Sequence, residues 1–156
     1  MCGPPYRGTL SYIGMAARRA STYVIERQAF FAPYLARTLE LGGLHVSYLS
    51  GDIEFDYLGR ALPDVIFIDT DFVVDDVPDT IRNIRSRSPE SIICVYASQT
   101  SAAWARACHL AGANALFTKF ATPEEIVAGL LHVLSVGTHT DNRYLADAAS
   151  PRASQV

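Results

Sequence analysis

The sequence predicts an α/β domain built on a parallel sheet with helices on both faces. Three observations carry this. Short apolar, β-branched runs alternate with segments of helical spacing along the chain. The runs are apolar throughout, as strands covered on both faces are. Helix ends carry their own signals, at Gly42-Gly43, at Gly112 and at Thr122-Pro123-Glu124-Glu125.

Thr22-Tyr23-Val24-Ile25 reads as the first strand. Phe30 to Leu41 follows as a helix, with Phe31, Tyr34, Leu35 and Leu39 near helical spacing and Pro33 in the first turn, where it is tolerated. His45 to Leu49 is the second strand, and Ile53 to Leu62 a short helix with Phe55, Leu58 and Leu62 on one face. Asp64 to Asp69 is the third strand, and Pro78 to Arg87 the third helix. Ser91 to Tyr96, the helix Ser101 to Ala111, and the strand Ala115 to Thr118 come next. The last helix starts most clearly: Thr122 at the N-cap, Pro123 at the first helical position and Glu125 three residues on form a capping box. Strand–helix alternation, right-handed crossovers and this size favour a doubly wound five-stranded sheet in the flavodoxin-like order 2-1-3-4-5.

Residues 21–136 hold these elements and read as one domain. Residues 1–20 read as a flexible extension and a poor signal peptide, and 137–156, rich in Ala, Ser, Asp and Thr, as a flexible tail. With 49% apolar and 19% charged residues the chain is globular rather than disordered. No run is long enough to span a membrane. The net charge of −3 gives nonspecific nucleic-acid binding no electrostatic support. Arg82, Arg85 and Arg87 read as a solvated helix face. The three cysteines, Cys2, Cys94 and Cys108, fit neither a disulfide framework nor a metal knuckle. Cys94 and Cys108 read as small buried residues, and a cytoplasmic location is expected. His45, His109, His132 and His139 lie on different elements without metal spacing.

The chemistry concentrates at strand ends. Asp69 closes an apolar strand, and the carboxyl ends of parallel strands face the crevice where such sheets bind ligands. Lys119 closes another. A carboxylate and an ammonium at two strand ends make a candidate phosphoryl site. No glycine-rich phosphate loop follows the first strand, where Glu26-Arg27-Gln28 stands, so a nucleotide- or flavin-binding enzyme lacks support.

Four segments together resemble a bacterial response-regulator receiver domain. They are Pro63 to Asp69, Ile81 to Pro89, Ala111-Gly112-Ala113-Asn114-Ala115-Leu116-Phe117-Thr118-Lys119, and Thr122 to Glu125. The resemblance runs from about Tyr23 to Leu134. It implies that Asp69 accepts a phosphoryl group from a histidine kinase or phosphotransfer protein, that Lys119 pairs with that group, and that Glu26, Asp69 and the carbonyl of Asp71 hold Mg2+.

The sequence departs from the pattern at four places. Arg27 replaces the second acid of the first strand; a guanidinium supplies no metal ligand, so Mg2+ binding is weakened. Arg27 either pairs with Asp69 in place of the metal or turns to solvent. Ala97 falls where a hydroxyl closes the fourth strand, and a one-residue slip would let Ser98 serve. Leu116 holds the place of an aromatic reporter, and Phe120 that of a proline. The carboxylates of the loop Asp71 to Asp76, that of Asp71 included, read as a solvated rim.

The expected function is therefore a stand-alone receiver of a two-component phosphorelay, atypical, and a signalling module rather than an enzyme. Output is expected through the face of the fourth helix, fifth strand and fifth helix, to a protein partner or a second copy, not to nucleic acid or membrane. The rival is a pseudo-receiver, an interaction module that works without phosphorylation.

Overall fold

The computed structural model describes residues 19–149. The N-terminal extension lies outside the described residues over 1–18, as does 150–156 of the tail.

The strands are β1 (Ser21–Ile25), β2 (His45–Ser50), β3 (Val65–Asp69), β4 (Ile92–Ala97), β5 (Ala115–Thr118) and β6 (His139–Thr140). Between and after them run α1 (Ala32–Leu41), α2 (Phe55–Ala61), α3 (Val77–Arg87), α4 (Ala102–Ala111), α5 (Pro123–Val136) and α6 (Arg143–Ala149). The sheet is parallel, in the order β2-β1-β3-β4-β5-β6. The expected order 2-1-3-4-5 is present with a sixth strand added at the β5 edge.

Successive side chains of a strand point to opposite faces, and the apolar runs use both. Phe67 joins Val24, Leu39, Cys94, Phe117 and Leu130 on the α1 and α5 side. Its neighbours Ile66 and Ile68 join Tyr23, Ile81, Val95 and Leu116 on the side of α2, α3 and α4. Every residue of β3 and β5 is buried, whereas β2 is exposed at every second residue. The crevice at the strand ends therefore opens around β1, β3, β4 and β5. The capping box at α5 forms as expected: the Thr122 hydroxyl accepts from the Glu125 N–H and the Glu125 carboxylate accepts from the Thr122 N–H.

The segment 139–149, read as part of a flexible tail, is docked. Its strand pairs Ala115 with His139 and Leu116 with Thr140. Tyr144 is fully buried, its ring stacked 6.0 Å from that of Trp104 and its hydroxyl donating to the Phe117 carbonyl at 3.2 Å. A two-residue strand and one buried aromatic leave no periodic signal in a stretch of small polar residues.

Gly129 makes room for this edge. A Cβ there would stand 2.5 Å from Phe117 Cε1 and 2.6 Å from His139 Nε2. Gly129→Ala is expected to cost about 1–3 kcal/mol by overpacking, with the loss concentrated at β6; a urea titration together with amide exchange of His139 checks it.

One arginine is not solvated. Arg85 is half-buried and donates to the carbonyls of Ser91 at 2.6 Å and Gly112 at 2.6 Å and to Asn114 Oδ1 at 2.7 Å. It ties α3 to the turns before β4 and β5, a role that helical spacing alone does not reveal.

Candidate functional site

The site forms where β1, β3, β4 and β5 end. Strand register places Asp69 beside Tyr96 and Ala97 beside Thr118. Lys119, the residue after β5, extends back over Asp69: its Nζ donates to Asp69 Oδ2 at 2.6 Å and meets Asp71 Oδ2 at 2.9 Å. The carboxylate of Asp69 is fully covered, while Lys119 keeps a quarter of its side chain exposed. Burial works against the ammonium, but the two carboxylates outweigh it and hold the Lys119 pKa above its usual value.

Glu26 follows β1 and is itself buried, 4% exposed. Its Oε1 accepts the Gln28 N–H at 2.9 Å, and its carboxyl group is a neighbour of that of Asp69. Burial, and then the shared contact with Asp69, push its pKa up to about 7. Two adjacent buried carboxyls resist double ionisation, and a hard divalent cation is what would relieve them. The Glu26–Asp69 pair thus suits such a cation. Among the described residues no three acidic, His or Cys side chains converge into a metal-holding group. His132 and His139 do face one another, ring centroids 5.6 Å apart, but no third ligand joins them among the described residues.

Asp71 turns its carboxylate to Lys119 and to Ser98, whose N–H donates to Asp71 Oδ1 at 2.9 Å. Burial raises the Asp71 pKa, but these donors outweigh it and the net direction is downward. Asp69 Oδ1 in turn accepts the Asp71 N–H at 2.9 Å, which fixes the start of the loop.

The predicted residues Glu26, Asp69, Asp71, Ser98 and Lys119 therefore meet in one place. Ser98 reaches it through Asp71, while Ala97 presents a methyl group at the end of β4 and is buried. Arg27 is exposed and lines the outer cleft beside Asp69, and among the described residues it forms no ion pair with Asp69. The solvent-facing alternative is the one realised: Lys119, nearer and partly buried, already supplies the counter-charge. Leu116 is fully buried beneath α4, packing rather than reporting. Among the described residues every peptide bond is trans, the one before Phe120 included.

Tyr96 and Phe72 were not expected here. Lys119 Nζ sits 5.6 Å from the Tyr96 ring centroid and 5.5 Å from that of Phe72, within cation–π range of both. The position of Tyr96 at the end of the predicted fourth strand was the available signal for one; nothing in the spacing marks the other. On the β3 side a cleft of about 260 Å3 opens past Arg27, Phe72 and Asn83. On the other side, a cavity of about 160 Å3 lies against Glu26, Phe31, Tyr34, Tyr96 and Lys119.

No protein-family model matches the sequence, and no curated protein matches it. Solved structures do match. The chain superposes on a LuxR-family two-component response regulator from Aurantimonas sp. SI85-9A1 with a TM-score of 0.74 and 18% identity, over 85% of this chain and 99% of that one. The fold is that of a response-regulator receiver domain. The signal receiver domain of the response regulator NarL from Mycobacterium tuberculosis gives 0.65 and 21% identity, over 74% of this chain and 96% of that one. A response regulator from Burkholderia pseudomallei, solved with a phosphorylated aspartic acid, calcium ion and citrate, gives 0.63 and 25% identity, over 83% of this chain and 73% of that one. On the receiver fold, the crevice holding Asp69 and Lys119 is the ligand-facing end of the sheet. No helix among the described residues is long and apolar enough to cross a membrane. Cys94 and Cys108 are free and buried, and burial pushes the Cys108 thiol up to about 12; Cys2 lies outside the described residues.

Proposed function

We propose that the protein is a signalling module of a two-component phosphorelay and that Asp69 is its phosphoryl acceptor. The observation that carries this is the buried Asp69 carboxylate held by Lys119 at 2.6 Å in the crevice at the strand ends. A receiver fold alone would not, since function resides in the site.

An Asp69 oxygen attacks phosphorus of a phosphohistidine on a histidine kinase or phosphotransfer protein. The P–O bond forms as the P–N bond breaks, and the electron pair stays on the imidazole nitrogen. Lys119 remains beside Asp69 and offsets the charge that the phosphoryl group brings. Glu26 and Asp69, with the main-chain carbonyl of Asp71, would hold Mg2+, which supplies further neutralisation of the phosphoryl oxygens. Arg27, standing where a second acid would ligate, leaves that ion short of a partner.

Signalling by protein contact is the proposed output. The face of α4, β5 and α5 is not bare: β6 pairs with β5 and Tyr144 of α6 stacks on Trp104 of α4. A partner or a second copy at that face meets the segment 139–149 as its outer layer.

A second reading has its own support. Ala97 offers no hydroxyl, and buried Leu116 no aromatic reporter. These favour an interaction module that works without phosphorylation. Incubation with acetyl phosphate and Mg2+ separates the two. Intact mass is expected to rise by one phosphoryl group in the native protein and not in Asp69→Asn; an unchanged native mass gives the second reading the field.

A further inference from the structure

We infer that Asp71 is a built-in rival anion at the acceptor site, holding the donors that any anionic group arriving on Asp69 must take over. The inference rests on the phosphoryl-acceptor reading above and concerns how that site is regulated.

The geometry makes the case. Two donor groups face the mouth of the site, from the residue after β5 and from the residue after β4. They are the Lys119 ammonium and the Ser98 N–H, and both bond the Asp71 carboxylate. Asp71 Oδ2 takes Lys119 at 2.9 Å and Oδ1 takes Ser98 N–H at 2.9 Å, so a single carboxylate spans both elements. The Asp69 N-terminal side of the loop anchors it, through the Asp71 N–H on Asp69 Oδ1 at 2.9 Å. A planar carboxylate with two oxygens is the smallest group that can do this; a phosphoryl group with three would do it too.

Two consequences follow. The loop after β4 is already drawn to the site while Asp69 is free, because Asp71 supplies the negative charge. And a phosphoryl group on Asp69 would stand within a few ångströms of a second carboxylate until that carboxylate turns out. Like charges at such separation are costly where water is scarce. Asp71 is thus a positioning residue: it acts on the acceptor through Lys119 and Ser98.

The test uses beryllofluoride in Mg2+ as the anionic probe, titrated into the full chain, Asp71→Ala, Asp71→Asn and the charge-matched control Asp75→Asn. Affinity is read by titration and the Ser98 amide by NMR. Asp71→Ala is expected to bind roughly tenfold tighter than the native protein, the effect of freeing one charge-assisted contact. Asp71→Asn, which keeps an acceptor for the Ser98 N–H without the charge, falls between them. In Asp71→Ala the Ser98 amide exchanges with solvent until the probe binds and is protected afterwards. Equal or weaker binding by Asp71→Ala, or an equal gain in Asp75→Asn, overturns the inference and leaves the receiver reading in place when the native protein binds. Absence of binding in the native protein and in both Asp71 variants removes that reading and the inference together.

Discussion

The native protein is expected to lose stability as pH rises from about 5 to about 7, and Glu26→Gln is expected to abolish that decline. Glu26 is buried beside Asp69, and burial first, then that neighbour, raise its pKa to about 7. In the unfolded chain the same group ionises near 4.5. Between those values the folded protein keeps a proton that the unfolded chain has released. The folded state binds more protons, so stability falls with rising pH across this window and levels off above it. The full effect is on the order of 3 kcal/mol.

Other groups titrate elsewhere or in the opposite sense. Asp71 is shifted downward, so its contribution is present above its ordinary value of 3.8 and fades only below it. Lys119 is shifted upward from 10.5, so its contribution is lost only in strong base. His139 is lowered from 6.5 by burial and then by His132, so its effect favours folding as pH rises toward 6.5 and partly offsets Glu26. Glutamine keeps the acceptor for the Gln28 N–H and can donate to Asp69, but it does not ionise. Urea titrations at several pH values from 5.5 to 8.5 should show the native slope inverted or flat in Glu26→Gln. An identical slope in the two proteins would locate the proton elsewhere.

The placement of Asp69, Lys119 and Glu26 was legible in the sequence, and the direction of one neighbour was not. Asp69 and Lys119 could be placed because strand ends are visible: an uninterrupted apolar run stops at each, and parallel topology sends both stops to one edge. Glu26 followed from the same logic at β1. The direction of Asp71 was not visible. Its side chain sits in a loop, where no period fixes which way a residue points. The sequence therefore admitted a rim carboxylate or a carbonyl ligand, and the structure shows the carboxylate spent on Lys119 and Ser98. Arg27 was a choice between two poses, and exposure settled it because burying its charge in a crevice already neutralised by Lys119 would cost desolvation with no free counter-charge to offset it.

The fold was legible wherever burial is two-sided. β3, β4 and β5 declare themselves through continuous apolar runs, and α5 through its capping box. The edge failed for a physical reason. A strand of two residues has no period, and α6 contributes a single fully buried ring among small residues. Its anchors are specific polar contacts: Thr118 Oγ1 donates to Asp141 Oδ2 at 3.3 Å, and Arg143 bridges Asp141 and Glu125, both at 3.1 Å. Such pairings need the tertiary neighbour to be recognisable at all.

Tyr144→Ala should release this edge. Removing a buried aromatic ring ordinarily costs about 3–5 kcal/mol, part of it for the cavity left behind. Here the cavity need not persist, because 139–149 is the outermost layer and can lift away from β5 and α4. The loss is then capped by the docking free energy of the segment, and it appears as local opening before global unfolding. Two amides report it: His139 N–H, which donates to the Asn114 carbonyl at 3.0 Å, and Asp141 N–H, which donates to Leu116 at 2.9 Å. Both should lose exchange protection in Tyr144→Ala while the β3 amides keep theirs. Tyr144→Phe removes only the bond to the Phe117 carbonyl and should cost about 1 kcal/mol, with the segment still docked. Release also uncovers the edge of β5 and one face of Trp104, an unpaired strand beside an apolar surface. Tyr144→Ala should therefore self-associate with rising concentration in sedimentation runs, where the native protein does so less. Protection of His139 and Asp141 equal to native would mean that the polar contacts of Asp141 and Arg143, rather than the buried ring, hold the sixth strand in place.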